Sequence, residues 1–418
     1  MGKTNIILTA NLTSIFIFSI AVFGSPADAQ PIIQDSNLKA ELVVEGLSSP
    51  TSMAFIQNDS ILVLEKNTGE VQLISNGVLQ EEPVLKLDVD TTTLTCCRGL
   101  LGIATIGGQH VFLYFTEAAS EDQLVRNRVY RYDWNQQQHT LTNPTMILDL
   151  PATPGPNHPG GKLVIGLDNY LYTAIGDLNN EGQLQNFENG PEPDDSSVII
   201  KISAFDGSPA VDNPFLNSHN PKMAKYFAYG IRNSFGLAID PITGALWEAE
   251  NGDEDYDEIN LVRPGFNNGW KKLMGPISQS DDIAQEDLVS FPGSHYADPV
   301  FSWKPSRGIT DIEFLNSSAL GPKYQNNIFV GDITSGNLYF FEVNSTRTGL
   351  TFNEPTISDL IADGEEELEN ITWGTGFGGI TDIETGPDGL LYLLTFDQEI
   401  DGEGKIYRIS SLRNEPNP

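Results

Sequence analysis

Short apolar strands separated by polar turns recur along most of the chain, and helical periodicity is scarce. The recurring unit is an apolar strand, a turn with Gly, Asn or Asp, and an aromatic-rich strand, which is the pattern of a β-hairpin. Most copies are followed by a third strand of similar character, such as Arg128–Tyr132. The six copies begin at Thr51, Gly99, Gly161, Gly236, Ile309 and Ile380.

Such a repeat predicts an all-β, six-bladed β-propeller built from four-stranded antiparallel blades. A β-sandwich also has short strands, but it does not show this recurrence. The spacing of the copies is irregular, so long inserts must lie between some blades. We expect one propeller domain over residues 38–412, an N-terminal extension over residues 30–37 and a C-terminal tail over residues 413–418.

The first 29 residues are predicted to be a signal peptide. Lys3 supplies a positive start, Ile6–Phe23 is mostly apolar, and Ala27–Ala29 fits a small-residue cleavage site. The alternative is an uncleaved anchor, because the apolar run is nearly long enough to span a bilayer. We expect export to the periplasm, the cell surface or the medium, with no membrane insertion after cleavage.

The net charge limits the classes of binding partner, and the cysteine content limits what can stabilise the domain. The net charge is −34, which repels phosphate and argues against a nucleic-acid partner. The same acidic excess supplies carboxylates for a hard cation such as Ca²⁺. The two cysteines, Cys96 and Cys97, are adjacent and cannot hold a domain of this size together, so the core must do so.

The hairpin repeat also predicts where polar residues converge. Because a hairpin brings its first and last residues to the same end, His158 and Asp177 should be neighbours at one end of the third copy. Equivalent ends of the blades face the same side of a propeller, which we call the mouth. The other residues expected there are Arg232, Asn233, Gly252, Asp253, Cys96, Cys97 and Arg98.

The residue types at the mouth suggest acid–base chemistry. His158 can take a proton near neutral pH, Asp177 can orient its ring, and Arg232 can polarise an oxyanion. Simpler interpretations remain open. His158 can be an ordinary hydrogen-bonding loop residue, Arg232 and Asn233 can tie blade loops together, and residues 253–258 can be a solvated acidic loop.

Several motifs together resemble the soluble pyrroloquinoline-quinone (PQQ)-dependent glucose/aldose sugar dehydrogenases, also grouped with the sorbosone dehydrogenases. The resemblance covers nearly the whole chain after the signal peptide and implies a six-bladed propeller. The motifs are Arg98–Ala104, His158–Leu163 with Ile175–Asp177, Tyr229–Leu237, Glu250–Asp253, Asp257–Asn260 with Gly265–Trp270, and Gly386–Tyr392.

The resemblance implies a role for each site residue. His158 is expected to be the general base that takes the proton of the sugar's anomeric hydroxyl while hydride passes to the quinone, with Asp177 supporting it. Arg232 is expected to lie against a quinone oxygen beside Asn233. The carbonyls of Gly252 and Asp253 are expected to bind a Ca²⁺ that also holds the cofactor, and Glu258 with the backbone at Asn268 a second, structural Ca²⁺. The product would be a lactone, and an external acceptor would take the electrons.

The chain departs from the family pattern where the cofactor's carboxylates are usually bound. The family places two arginines before the Asp of the last blade, but Phe377–Asp382 contains none. A lysine expected in the fifth blade is missing from Gly331–Gly336. Cys97 stands where the family often has Gln or Glu. Arg98 or Arg307 could compensate for the lost charges.

The cysteine pair has two interpretations. In an oxidising compartment Cys96 and Cys97 could form a vicinal disulfide at the mouth, against which a flat cofactor could stack. The alternative is two reduced, buried thiols.

Two other functions compete with the dehydrogenase. One is a Ca²⁺-binding propeller that has lost the quinone and binds a glycan or protein; the missing arginines favour it. The other is a Ca²⁺-dependent lactonase-type hydrolase, but the expected carboxylate-rich metal cage at the mouth is absent from the sequence. The combination of His158, Asp177 and Arg232 favours the dehydrogenase.

Overall fold

The computed structural model describes residues 30–57, 59–91, 97–120, 123–352, 355–397 and 403–412. The predicted signal peptide and C-terminal tail lie outside these residues, and residues 31 onward form one compact unit. The strands are β1 (Ile32–Ile33), β2 (Leu38–Ser48), β3 (Pro50–Gln57), β4 (Ser60–Glu65), β5 (Glu70–Ser75), β6 (Val78–Leu79), β7 (Leu85–Lys86), β8 (Leu100–Ile106), β9 (His110–Glu117), β10 (Arg126–Asn135), β11 (Thr140–Pro151), β12 (Leu163–Ile165), β13 (Tyr170–Ile175), β14 (Val198–Ser203), β15 (Tyr226–Tyr229), β16 (Ser234–Ile239), β17 (Leu246–Glu250), β18 (Asp257–Val262), β19 (Phe266–Asn267), β20 (His295–Tyr296), β21 (Phe301–Trp303), β22 (Ile309–Phe314), β23 (Ile328–Asp332), β24 (Leu338–Val343), β25 (Leu350–Thr351), β26 (Ile361–Ala362), β27 (Thr372–Thr375), β28 (Gly379–Thr385), β29 (Leu391–Phe396) and β30 (Glu403–Ser411).

Helical structure is scarce, as the sequence predicted. The described residues contain one α-helix, α1 (Glu365–Ile371), and five 3₁₀ turns. Those turns are Gln183–Gln185, Pro221–Lys225, Ile277–Gln279, Gln285–Asp287 and Pro355–Ile357. In the part of the chain that the structure covers, no helix is long and apolar enough to cross a membrane.

The described strands form six hydrogen-bonded sheets. We number the sheets by the position of their first strands along the chain. Sheet 1 contains β3–β7, and sheet 2 contains β8–β11. Sheet 3 contains β12–β15 with β19 and β20, and sheet 4 contains β16–β18 with β21 and β26. Sheet 5 contains β22–β25 with β27 and β1, and sheet 6 contains β28–β30 with β2. The first strands β3, β8, β12, β16, β22 and β28 contact one another in this order, and β28 contacts β3. The sheets therefore surround a common axis, and the predicted all-β propeller arrangement is confirmed.

The prediction of uniform four-stranded antiparallel blades is wrong. Only sheets 2 and 6 have four strands, and the others have five or six. Inserts supply the additional strands: β19 and β20, from the connection between β18 and β21, add in parallel to the edge of sheet 3. The segment predicted as an N-terminal extension contributes β1, which pairs with β27. These short strands cover sheet edges that would otherwise leave backbone groups unpaired.

Sheet 6 closes the ring. Its outer strand β2 comes from the start of the described chain and pairs antiparallel with β30 at the end, from Leu38–Ser411 to Ser48–Glu403. Hydrophobic clusters fill the space between neighbouring sheets; Phe112 and Tyr114 of sheet 2, for example, share a cluster with Leu171 and Ile175 of sheet 3. Burial between adjacent sheets is what fixes their mutual positions.

The axis contains a buried ion pair network. Lys162, just before β12, places Nζ 2.8 Å from Oδ2 of Asp311 in β22 and 2.5 Å from Oδ1 of Asp382 in β28. Burial disfavours its charge, but the two carboxylates outweigh this and hold the pKa of Lys162 well above its usual value. Sheets 3, 5 and 6 are thereby linked through the axis, where residues of all six first strands line a cavity of about 340 Å³.

We predict that Lys162→Met strongly destabilises the propeller. The substitution leaves Asp311 and Asp382 buried without their cation, and breaking a buried pair in this way costs about 3–5 kcal/mol of unfolding free energy. Urea denaturation measures the change. Lys271→Met is the control, because its exposed pair with Glu181 at 2.7 Å should contribute only about 0–1 kcal/mol. Equal stability of the two variants would contradict the assignment.

Candidate functional site

The loop before β12 and the end of β13 bring His158 and Asp177 together, as the hairpin argument predicted. Nδ1 of His158 lies 2.6 Å from Oδ1 of Asp177. Glycine at position 176 makes this possible, because a Cβ there would lie 2.2 Å from the carbonyl oxygen of Arg232. The backbone N–H of Asp177 donates to that same carbonyl at 3.0 Å, so sheets 3 and 4 meet at the dyad.

Asp177 is held as an anion by its surroundings. Burial opposes the charge, but hydrogen bonds from His158, Asn179 and Trp270 outweigh it and place the pKa of Asp177 below its usual value. An ionised carboxylate only accepts hydrogen bonds, so neutral His158 carries its proton on Nδ1. Its Nε2 is then left as a proton acceptor, which is the state that a general base requires.

Trp270 completes the arrangement, and the sequence did not assign it a role. Its indole Nε1–H donates to Oδ2 of Asp177 at 2.8 Å. The guanidinium of Arg232 lies over the same ring, with Cζ 5.3 Å from the centroid. The Gly265–Trp270 motif could be recognised in the sequence. A single sequence does not predict, however, that a tryptophan more than 90 residues away contacts Asp177.

Arg232 and Asn233 precede β16 beside the dyad. Nη2 of Arg232 donates to Asp253 Oδ1 at 2.9 Å and Nη1 to the carbonyl of Asn251 at 3.1 Å. Two buried atoms, Nε of Arg232 and Oδ1 of Asn233, have no partner among the described residues. Buried polar groups rarely stay unsatisfied, so these atoms favour a polar ligand at this position.

The loop after β17 is tightly folded around Gly252. A Cβ at Gly252 would lie 2.2 Å from the carbonyl oxygen of Asp255, so only glycine fits. The backbone N–H of Gly252 donates to Asp257 Oδ1 at 2.9 Å, while the side chain of Asp253 is largely exposed and bonded to Arg232. Arg232 therefore connects the Gly252–Asp253 segment to the dyad.

A buried acidic cluster lies behind this loop. Glu248, Glu250 and Glu258 are 0–1% exposed. Asn268 donates through Nδ2 to Glu250 and, at 3.0 Å, to Glu258. Burial and mutual repulsion raise the pKa of Glu248 to about 8 and that of Glu250 well above its usual value, and burial raises the pKa of Glu258 to about 7.

The cluster has buried acceptors that no described side chain or backbone group uses. Oε2 of Glu248, Oδ1 of Asn260 and Oδ1 of Asn268 are buried and lack partners among the described residues. In the same residues, no group of three or more His, Cys, Asp or Glu side chains is arranged to hold a metal ion. A cation here would therefore need amide and backbone oxygens beside carboxylates, the mixed oxygen set that Ca²⁺ accepts.

The structure describes part of the cysteine segment and the contacts of Arg98 beside it. Cys97 is disulfide-bonded, while Cys96 lies outside the described residues. The neighbouring Arg98 is buried, with Nη1 2.7 Å from Asp90 Oδ2 and Nη2 on the carbonyl of Ala152. This engagement favours a structural role for Arg98 over the predicted cofactor contact.

The fold and the site together define a β-propeller whose mouth carries a histidine–carboxylate dyad beside an arginine, an arrangement suited to acid–base chemistry on a bound ligand. Residues 47–408 match the glucose/sorbosone dehydrogenase family, and the chain belongs to that family. Its homologues include sugar dehydrogenases, which supports an oxidoreductase function for this chain.

Three curated relatives illustrate the similarity. An uncharacterized protein of Synechocystis sp. is 30% identical over 93% of this chain and 90% of its own length. The aldose sugar dehydrogenase of Escherichia coli is 25% identical over 96% of this chain and 97% of its own. Quinoprotein glucose dehydrogenase B of Acinetobacter calcoaceticus is 28% identical over 58% of this chain and 54% of its own.

Solved structures show the same fold. A Thermus thermophilus oxidoreductase described as a glucose dehydrogenase aligns over 89% of this chain and 99% of its own, with 26% identity and a TM-score of 0.67. The PQQ-bound aldose sugar dehydrogenase of Streptomyces coelicolor aligns over 89% of this chain and 98% of its own, with a TM-score of 0.63 at 20% identity.

We predict that the native protein has no free thiol. The chain has two cysteines, and Cys97 is in a disulfide. Titration with a thiol reagent in denaturant should give no reaction before reduction and two equivalents after it. Two reactive thiols without reductant would contradict the disulfide, and one would show that Cys97 pairs between chains.

Proposed function

We propose that the protein is a PQQ-dependent dehydrogenase that oxidises an aldose at its anomeric carbon to the lactone and passes the electrons to an external acceptor. The observation that carries this proposal is the His158–Asp177 pair, 2.6 Å apart and beside Arg232 at the mouth. Family membership and the quinoprotein among the relatives support it. A pure binding propeller has no need of a histidine whose ring is fixed by a buried carboxylate.

Each residue at the mouth would have a distinct role in the proposed reaction. Nε2 of His158 takes the proton of the anomeric hydroxyl, and Asp177 stabilises the imidazolium that results. Trp270 holds both Asp177 and the guanidinium of Arg232 in place. When bound, PQQ supplies the two-electron acceptor for hydride from the anomeric carbon. Nε of Arg232, a buried donor without a partner, is suited to an oxygen of such a ligand.

Two places are proposed for Ca²⁺, each with oxygen donors of the mixed kind that this cation accepts. Gly252 and Asp253 are proposed to offer backbone carbonyls beside the cofactor. Glu258 is proposed to bind a second Ca²⁺ with the backbone at Asn268, and the unpaired oxygens of Glu248 and Asn260 lie in the same cluster. A divalent cation would remove the repulsion between these carboxylates that now raises their pKa values.

We further propose that each of the six sheets is one blade, since their first strands form a closed ring. Residues 38–412 would be the propeller domain, following a cleaved signal peptide over residues 1–29. The disulfide at Cys97 supports export, because such bonds persist in oxidising compartments. Cysteine stacking against the quinone plane remains part of this proposal through Cys96 and Cys97.

The decisive experiment is titration of the Ca²⁺-loaded protein with PQQ, followed by dye reduction on a panel of aldoses. We expect binding and sugar-dependent turnover. His158→Ala should lower turnover by about 100-fold or more, the usual contribution of a general base, and change PQQ affinity little. His219→Ala, in an exposed turn, is the matched control. Absence of PQQ binding to the unaltered protein would favour the alternative of a non-catalytic Ca²⁺-binding propeller for glycans or proteins.

Calcium removal should make stability strongly pH-dependent. The folded pKa values of Glu248 and Glu258, about 8 and about 7, lie above that of an unfolded Glu, so the folded state binds more protons. The stability from these groups is fully present below pH of about 4.3 and is lost as pH rises through 7–8. Chelator-treated protein should therefore melt at lower temperature at pH 8 than at pH 5.5.

Added Ca²⁺ should raise the melting temperature more at pH 8 than at pH 5.5, because fewer protons must leave these carboxylates when the cation binds. Glu258→Gln should remove most of this calcium effect, whereas Asp253→Asn should preserve it, because Asp253 is proposed to offer only its backbone carbonyl. An equal rise from NaCl at matched ionic strength would contradict a specific site.

A further inference from the structure

Most cations near the mouth are paired with carboxylates. Arg98 pairs with Asp90, and Arg232 pairs with Asp253. At the periphery, Lys271 pairs with Glu181. In a chain with a net charge of −34, pairing of this kind is the expected state of a basic side chain. Two basic residues do not follow the pattern.

Lys66 follows β4 and lies beside the cysteine segment. Its carbonyl accepts the N–H of Leu100 at 3.1 Å, and a Cβ on Gly99 would lie 2.4 Å from that carbonyl oxygen. The side chain is partly buried. Its ammonium has no hydrogen bond or ion pair within the described ranges, and burial alone lowers the pKa of Lys66. An ammonium that is partly removed from water and has no partner is stabilised by an anion beside it.

Arg307 precedes β22, on the other side of the mouth. Its backbone N–H donates to Oδ2 of Asp257 at 2.6 Å, and the other oxygen of Asp257 accepts the backbone N–H of Gly252. The backbone of Arg307 is thereby linked, through Asp257, to the segment that carries Asp253, the partner of Arg232. Its Nε is buried and has no acceptor in the part of the chain that the structure describes.

The order of the sheets in the ring places Lys66 and Arg307 on either side of sheet 6. Lys66 belongs to sheet 1 and Arg307 leads into sheet 5. Sheet 6 lies between them, since β28 contacts both β3 and β22. Phe377–Asp382, where β28 begins, contains no basic residue. Sheet 3, which carries His158, is opposite sheet 6 in the ring. Unpaired cations thus lie on both sides of sheet 6, whose start provides none, across the mouth from the base.

We propose that Lys66 and Arg307 bind the carboxylates of the anionic quinone cofactor in this chain, so that its reactive end faces His158. The inference rests on the proposed function and specifies how its cofactor is bound. Charge-assisted contacts from a lysine and an arginine are strong and geometrically selective, and arginine can bind a carboxylate through two N–H groups. The long-range field of this acidic protein repels such a ligand, so local contacts must supply the affinity.

The test is a PQQ titration of the full Ca²⁺-loaded protein, followed by absorbance, for the unaltered chain and for Lys66→Met, Arg307→Gln and the double variant. We expect each single substitution to raise Kd at least tenfold and the double variant by more. The slope of log Kd against log salt should become shallower with each lost cation. Lys271→Met removes a paired cation at the periphery and should leave Kd within twofold.

The outcomes separate this inference from the proposed function. If the unaltered protein binds PQQ and both variants bind it equally well, the inference is overturned while the function stands. If the unaltered protein does not bind PQQ, the function and the inference are both overturned. Lys66→Arg and Arg307→Lys should recover much of the affinity, and unchanged melting temperatures should show that the variants are folded.

Discussion

Closure of the ring by the pairing of β2 with β30 is the constraint on which the site depends. The dyad comes from sheet 3, Arg232 and the acidic cluster from sheet 4, and Arg307 from the start of sheet 5, while Lys66 belongs to sheet 1. No single sheet contains enough of these groups to bind a ligand and transfer a proton. Their mutual distances are set by apolar packing between neighbouring sheets, and a ring has fixed distances across its mouth only when both ends of the chain are joined in one sheet.

The polar network across the mouth uses a short chain of contacts. His158 bonds to Asp177, Asp177 to Trp270, Trp270 stacks with Arg232, and Arg232 bonds to Asp253. Each side chain restricts the next, so the base and the guanidinium are oriented together and not independently. Such preorganisation reduces the cost of arranging charged groups at the moment of reaction.

Sequence reasoning located the hairpins and the His158–Asp177 pair because both follow from local rules: the two-residue period of strands and the shared end of a hairpin. It did not predict β19, β20 and β26, because strands two residues long carry no periodic signal and pair only through tertiary contacts. The contacts of Trp270 and Lys162 and the burial of Glu248 and Glu250 beside Glu258 were equally inaccessible, because burial and charge pairing between distant segments are properties of the folded ring. Arg98 was assigned to the cofactor by its position, which could not indicate its ion pair with Asp90.

The same β2–β30 pairing means that the propeller has no structurally privileged beginning. Leu38 and Ser411 are partners in one sheet, so the two ends of the ring lie about one strand spacing apart. A short linker could join them, and the chain could be opened instead at an exposed hairpin turn such as Thr243–Gly244. In topological terms the fold is a cyclic arrangement of sheets, and a chain could in principle enter it at more than one sheet.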